Sequence, residues 1–187
     1  MDDASFTLSE RYRVFHLAGI RHVLPSDSVP AGPDLLAQDP WPALLAKLPP
    51  SPRAIWTYSA LGLDLTGQSS KARGDLWRRL IPSVQLPKGF VGFLPYCLPK
   101  DGVLHDCTDH FLAAVATLSP AAVVVFDDDP ANALLMAIRK QSGDARSQIV
   151  FHAASSPETL LGLSDEAFRV AAQRLKDVLL PDSGPVS

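Results

Sequence analysis

From residue 53 onward the chain alternates two kinds of apolar pattern. Short runs rich in β-branched and aromatic residues read as strands: Ala54-Ile55-Trp56-Thr57-Tyr58, Phe90-Val91-Gly92-Phe93-Leu94, Ala121 to Phe126, and Gln148-Ile149-Val150-Phe151. Between them lie stretches with helical spacing. Lys71 to Val84 sets Leu76, Trp77, Leu80 and Ile81 on one face, with Pro82 ending or kinking the helix. Asp106 to Leu118 brings Phe111, Leu112, Val115 and Leu118 into register. Asp129 and Pro130 suit the N-cap and first position of a helix running to about Lys140. Ser164 caps the last helix, and Asp165 and Glu166 sit in its first turn, where the helix dipole favours carboxylates. Its buried stripe is Phe168, Ala171, Ala172, Leu175, Val178 and Leu179.

Strand alternating with helix calls for right-handed crossovers and a mostly parallel sheet. The unbroken apolar run Ala121–Phe126 fits a strand buried on both faces. The expected fold class is therefore α/β, a three-layer α/β/α sandwich around a four-stranded central sheet. Functional residues on such a sheet belong in the loops after the strands' C-terminal ends. Here those loops are Ser59–Ser70, Pro95–His105, Asp127–Asp129 and His152–Leu163. Before residue 53 the pattern differs. A helix from about Thr7 to Ala18, with Gly19 as its C′ residue, leads to an extended piece, Ile20–Leu24. Prolines between Pro25 and Pro52 then forbid a long helix and leave only short turns around Leu35-Leu36 and Leu44-Leu45. The expected organisation is an N-terminal helix and wrapping segment over 1–52, an α/β core over 53–180, and a frayed tail over 181–187.

Composition adds few constraints. Of 187 residues, 47% are hydrophobic and 20% charged, which is globular rather than disordered. A net charge of −3 does not suit a strongly basic nucleic-acid binder, although a local patch survives that balance. Cys97 and Cys107 form no C-x-x-C pair and read as reduced thiols. The acidic start Met1-Asp2-Asp3 lacks the regions of a secretory leader, so the expectation is a cytoplasmic protein. No apolar run approaches the roughly 20 residues that span a bilayer, so no membrane partner is expected. No cofactor motif is present.

The order of elements over Arg53–Leu180 resembles the uracil-DNA glycosylase superfamily. Ser59-Ala60-Leu61-Gly62 occupies the place of that family's first, water-activating loop, with Gly67 and the Leu76/Trp77/Leu80 helix following. Phe93-Leu94-Pro95-Tyr96-Cys97 takes the second loop, Val123-Val124-Val125-Phe126 the third strand, and Phe151-His152-Ala153-Ala154-Ser155-Ser156-Pro157 the final His-Pro-Ser-like loop. The departures fall on the chemistry. Ser59 stands near the position of the water-positioning carboxylate or amide, Leu61 replaces a proline, and Pro95 or Tyr96 stands where an asparagine reads the base. The resemblance thus implies a degenerate member that has lost base excision and serves DNA replication or repair as a binding module. The stretch Tyr12–Ile20 is also similar to the start of the psi subunit of bacterial DNA polymerase III, a non-enzymatic use of the same fold that implies protein partners.

Candidate side chains follow from both readings. Asp64 could be a general base, though a turn aspartate before Thr66-Gly67 explains it equally. His152 would stand where the family places an electrophile, against the plainer reading of a solvated loop histidine. The alternative function, a divergent glycosylase or hydrolase, uses this pair. Ser59, Gly62, Tyr96, Ser155 and Ser156 are candidate binding residues on the same loops. Lys71, Arg73, Arg78 and Arg79 could touch phosphates in a weak DNA contact, or simply face solvent. Tyr96 and Trp56 could stack on a base or pack in the core. Asp127 and Asp128 could hold Mg²⁺, and His105, Cys107 and His110 lie close in sequence without a second cluster to complete a metal site.

Overall fold

A computed structural model describes residues 35–129, 132–141 and 149–180. The expected opening helix and extended piece, Pro130, Gln148 and the tail lie outside the described residues. Those described fall within one compact unit, Gly32–Ser187. It therefore takes in the later prolines, where α1 (Trp41–Leu45) buries Trp41 and Leu44.

The sheet is all-parallel. β1 (Ala54–Thr57), β2 (Val91–Phe93), β5 (Ala122–Phe126) and β6 (Val150–Ala154) run in the order β2-β1-β5-β6. The two central strands are buried along their whole length, β5 as its continuous apolar sequence requires and β1 with Thr57 as a buried polar residue at its end. Alternate residues face opposite helical layers. Trp56, Val124 and Phe126 meet α3 (Lys71–Val84), α6 (Pro157–Leu161) and α7 (Asp165–Leu179). Ile55, Val123 and Val125 meet α1, α4 (Thr108–Leu118) and α5 (Ala133–Gln141). Helices thus cover both faces. A short α2 (Leu61–Leu65) follows β1.

Several expectations are corrected. Pro95–His105 is not one loop: β3 (Cys97–Lys100) and β4 (Val103–Asp106) pair antiparallel. Asp101 (φ 52°) and Gly102 (φ 78°) both take positive φ at the turn, as a tight hairpin demands. β6 begins later than expected and extends to Ala154, because the full length of β5 is available to pair with it, Ala122 with Val150 through Phe126 with Ala154. His152 consequently lies within a strand instead of the loop after it. The described start of α5 is capped three residues after Asp129. Asn132 is that cap, its Oδ1 accepting the N–H groups of Leu134 (2.9 Å) and Leu135 (3.4 Å). Pro82 stays inside α3, which closes on Gln85 in the left-handed region. Ile81 is 37% exposed and Val178 40%, because each flanks its stripe: Leu76/Leu80/Val84 on α3 and Phe168/Ala172/Leu175/Leu179 on α7. Ser164 does cap α7, accepting from the Ala167 N–H.

Candidate functional site

The C-terminal ends of β1 and β5 carry two polar networks. The first is centred on Asp64. The chain leaves β1 at Tyr58, turns through α2, and returns past Gly67, whose φ of 97° requires glycine. Ser70 then caps α3, its Oγ accepting from the Arg73 N–H at 3.4 Å. That path sets Arg73 against Asp64. Asp64 Oδ2 accepts from the Tyr58 hydroxyl at 2.7 Å and from Arg73 Nε at 2.8 Å. Its Oδ1 accepts from the Ser70 N–H and from Arg73 Nη2, both at 2.9 Å. Trp77 Nε1 donates in turn to the Tyr58 oxygen at 3.1 Å. An ionised carboxylate offers about four acceptor sites, and all four are taken. The side chains of Arg73 and Asp64 are only 16% and 13% exposed.

The electrostatics follow. Burial alone would raise the Asp64 pKa, but the hydrogen bonds from Arg73, Ser70 and Tyr58 outweigh it and hold the carboxyl below its ordinary value. Burial, aided by the adjacent carboxylate, drives the Tyr58 hydroxyl well above its usual pKa. A general base needs the opposite, a free lone pair and a pKa near the working pH.

The second network joins the other candidate carboxylate. Tyr96 donates to Asp127 Oδ2 at 3.1 Å, and Asn132 Nδ2 donates to both the Tyr96 hydroxyl (2.6 Å) and Asp127 Oδ2 (2.7 Å). Asp127 Oδ1 accepts the Asp129 N–H at 2.9 Å, and Asp128 accepts the Thr159 hydroxyl at 2.7 Å. Hydrogen bonds from Ser156 and Thr159 lower the Asp128 pKa. Tyr96 is 2% exposed and packs edge-on against Phe111, and Trp56 lies fully inside the aromatic cluster with Trp77, Phe93 and Phe126. Neither ring offers an open face to a base. Among the described residues, no group of three or more His, Cys, Asp and Glu is arranged to hold a metal. His110 stacks on Trp41 at 5.2 Å, and burial pushes the Cys97 thiol up to about 12.

The remaining candidates scatter. Ser59 is exposed in the turn after β1. Gly62 is buried, and a Cβ there would stand 2.1 Å from the Cys97 carbonyl oxygen, so glycine is required for α2 to meet the hairpin. Ser156 caps α6, accepting from the Thr159 N–H at 3.2 Å. Arg78 pairs with Asp75, and Arg79 pairs with Asp165 at 2.6 Å while lying over the Phe168 ring. The basic group of α3 is therefore largely spent within the fold.

No family model matches the chain, and no curated protein matches it.

His152 stands apart from the rim. It faces the α7 side of the sheet and, with Ser155 and Arg174, lines a groove whose floor is Val124 and Phe126 and whose lining does not include Asp64. The groove that His152 lines is thus formed without its proposed hydrolytic partner. Burial lowers the His152 pKa and so favours the neutral ring. Sequence reasoning passed over Arg174, although a cation beside the apolar positions Ala171, Leu175 and Val178 was a readable signal. No described helix is long and apolar enough to cross a membrane.

Proposed function

We propose that the chain is a non-catalytic, uracil-DNA-glycosylase-like domain that works in the cytoplasm as a binding module, engaging protein partners of DNA replication or repair. One observation carries the non-catalytic half: the only carboxylate of the first loop, Asp64, has all its acceptor positions filled by Arg73, Ser70 and Tyr58. It can neither orient a water nor take its proton without breaking a part-buried ion pair. The all-parallel sheet with its loops gathered at one end supports the kinship, and the pairing of Arg78 and Arg79 weighs against strong DNA contact.

Incubation with uracil-containing single- and double-stranded DNA tests this reading. The expected result is no released base. Excision that disappears in Asp64→Asn or His152→Ala would overturn it in favour of a divergent glycosylase. The positive half predicts saturable binding to at least one component in a purified panel of replication and repair proteins.

A further inference from the structure

The edge of the sheet at β6 differs from the rest of its backbone. The Val150 N–H donates to the Ala121 carbonyl at 3.2 Å, and the Ala154 carbonyl accepts the Asp127 N–H at 3.0 Å. Alternate residues of a strand in a parallel pair turn both backbone groups toward the same neighbour. Val150, His152 and Ala154 therefore bond inward to β5, and Phe151 and Ala153 point their N–H and C=O groups outward. No described strand pairs with that outer side, where Ala153 is exposed and Val150 is 52% exposed.

Natural sheets guard such edges with short strands, prolines or charges. The opposite edge is guarded in this way: β2 has three residues, between Pro87 and Pro95. β6 has five, Val-Phe-His-Ala-Ala, with no proline and no Lys, Arg, Asp or Glu. Beside it runs the groove, about 420 Å³, large enough for ligand side chains. It exists because Ala154 on the strand and Ala171 on the helix leave space between sheet and α7. Ala171, Arg174, Leu175 and Val178 form its far wall at helical spacing. Arg174 is exposed there, and no carboxylate among the described residues pairs with it, in contrast to Arg73, Arg78 and Arg79.

We propose that the β6 edge and this groove bind an extended peptide segment of a partner protein, which adds a fifth strand to the sheet, lays apolar side chains against Ala171 and Val178 of the groove's far wall, and presents a carboxylate to Arg174. The inference rests on the binding-module reading and names the chemistry of its partner. Main-chain hydrogen bonds to Phe151 and Ala153 would supply affinity, and the groove and Arg174 selectivity.

The test uses the full chain and a labelled peptide, Thr-Glu-Thr-Val-Thr-Val-Thr-Glu-Thr, whose symmetry serves either strand direction. Its counterpart carries lysine for glutamate. The expected result is saturable binding of the glutamate peptide, with amide NMR shifts concentrated at Phe151 and Ala153. Arg174→Glu should weaken that binding about tenfold and favour the lysine peptide instead. Ala153→Pro, which removes one outward N–H, should abolish it. If Ala153→Pro does not fold by circular dichroism, the charge reversal at Arg174 carries the test alone. Absence of peptide binding, binding indifferent to Arg174→Glu, occupation of the groove by decanoate alone, or dimerisation through β6 in place of peptide binding would each overturn the proposal. A chain that binds the peptide yet excises uracil removes the non-catalytic reading and leaves this one standing. A chain inert on uracil DNA that ignores the peptide does the reverse.

Discussion

The rim around Asp64 and the groove beside β6 draw on the same kinds of side chain, a basic residue and polar groups set on apolar walls. On the rim, each polar group answers another: Trp77 donates to Tyr58, Tyr58 to Asp64, and Arg73 grips both carboxylate oxygens. In the groove, His152 and Arg174 have no described side chain to answer them. Buried polar groups that satisfy one another specify and stiffen a fold. Polar groups left open on an apolar surface are free to meet something else. Of the places where the sequence pointed to chemistry, the Asp64 rim is thus built as architecture, while His152 and Ser155 lie on the open groove beside β6.

Mutations that separate the two regions should differ in scale. The largest effect is expected for Gly62→Ala, which forces α2 off the hairpin at the Cys97 carbonyl and should cost about 3 kcal/mol in chemical denaturation. Asp64→Asn comes next, at about 2 to 3 kcal/mol near pH 7, since it strips the charge that Arg73 and Tyr58 answer. Its pH dependence has a definite sign. The folded-state pKa of Asp64 is depressed, so its stabilisation is present above the unfolded value of about 4 and is lost as pH falls through the folded one. The gap between wild type and Asp64→Asn should close on acidification below about pH 4. Tyr96→Phe should cost about 1 kcal/mol, through the hydroxyl shared by Asn132 and Asp127. Arg174→Ala should change stability by less than about 0.5 kcal/mol, because nothing described depends on it. A large loss there would erase the contrast.

Much of the scaffold was legible because local pattern and tertiary role agree. The all-apolar Ala122–Phe126, the Leu76, Trp77 and Leu80 positions of α3 and the Ser164 cap each predicted their own environment. Misreadings arose where the deciding partner is distant or the signal small. The Asp101-Gly102 turn was hidden among prolines that argued for loop, and Pro99 lies within β3 itself. The extent of β6 is set by pairing with β5, since its terminal alanines carry little strand preference. The Asp64–Arg73 pair joins two elements across a turn, so no periodicity announces it, and the sequence left Asp64 open between general base and turn aspartate because its partner is nine residues away. Arg174 was overlooked because the helical stripe was read for its apolar members alone.

The saturated carboxylate is open to direct measurement by following the Asp64 side-chain carbon by NMR through a pH titration of the full chain. A midpoint clearly below the ordinary aspartate value of about 3.9 is the predicted result. A midpoint at or above that value would mean that the carboxylate is not held by Arg73, Ser70 and Tyr58, and the non-catalytic account of the rim would fall with it.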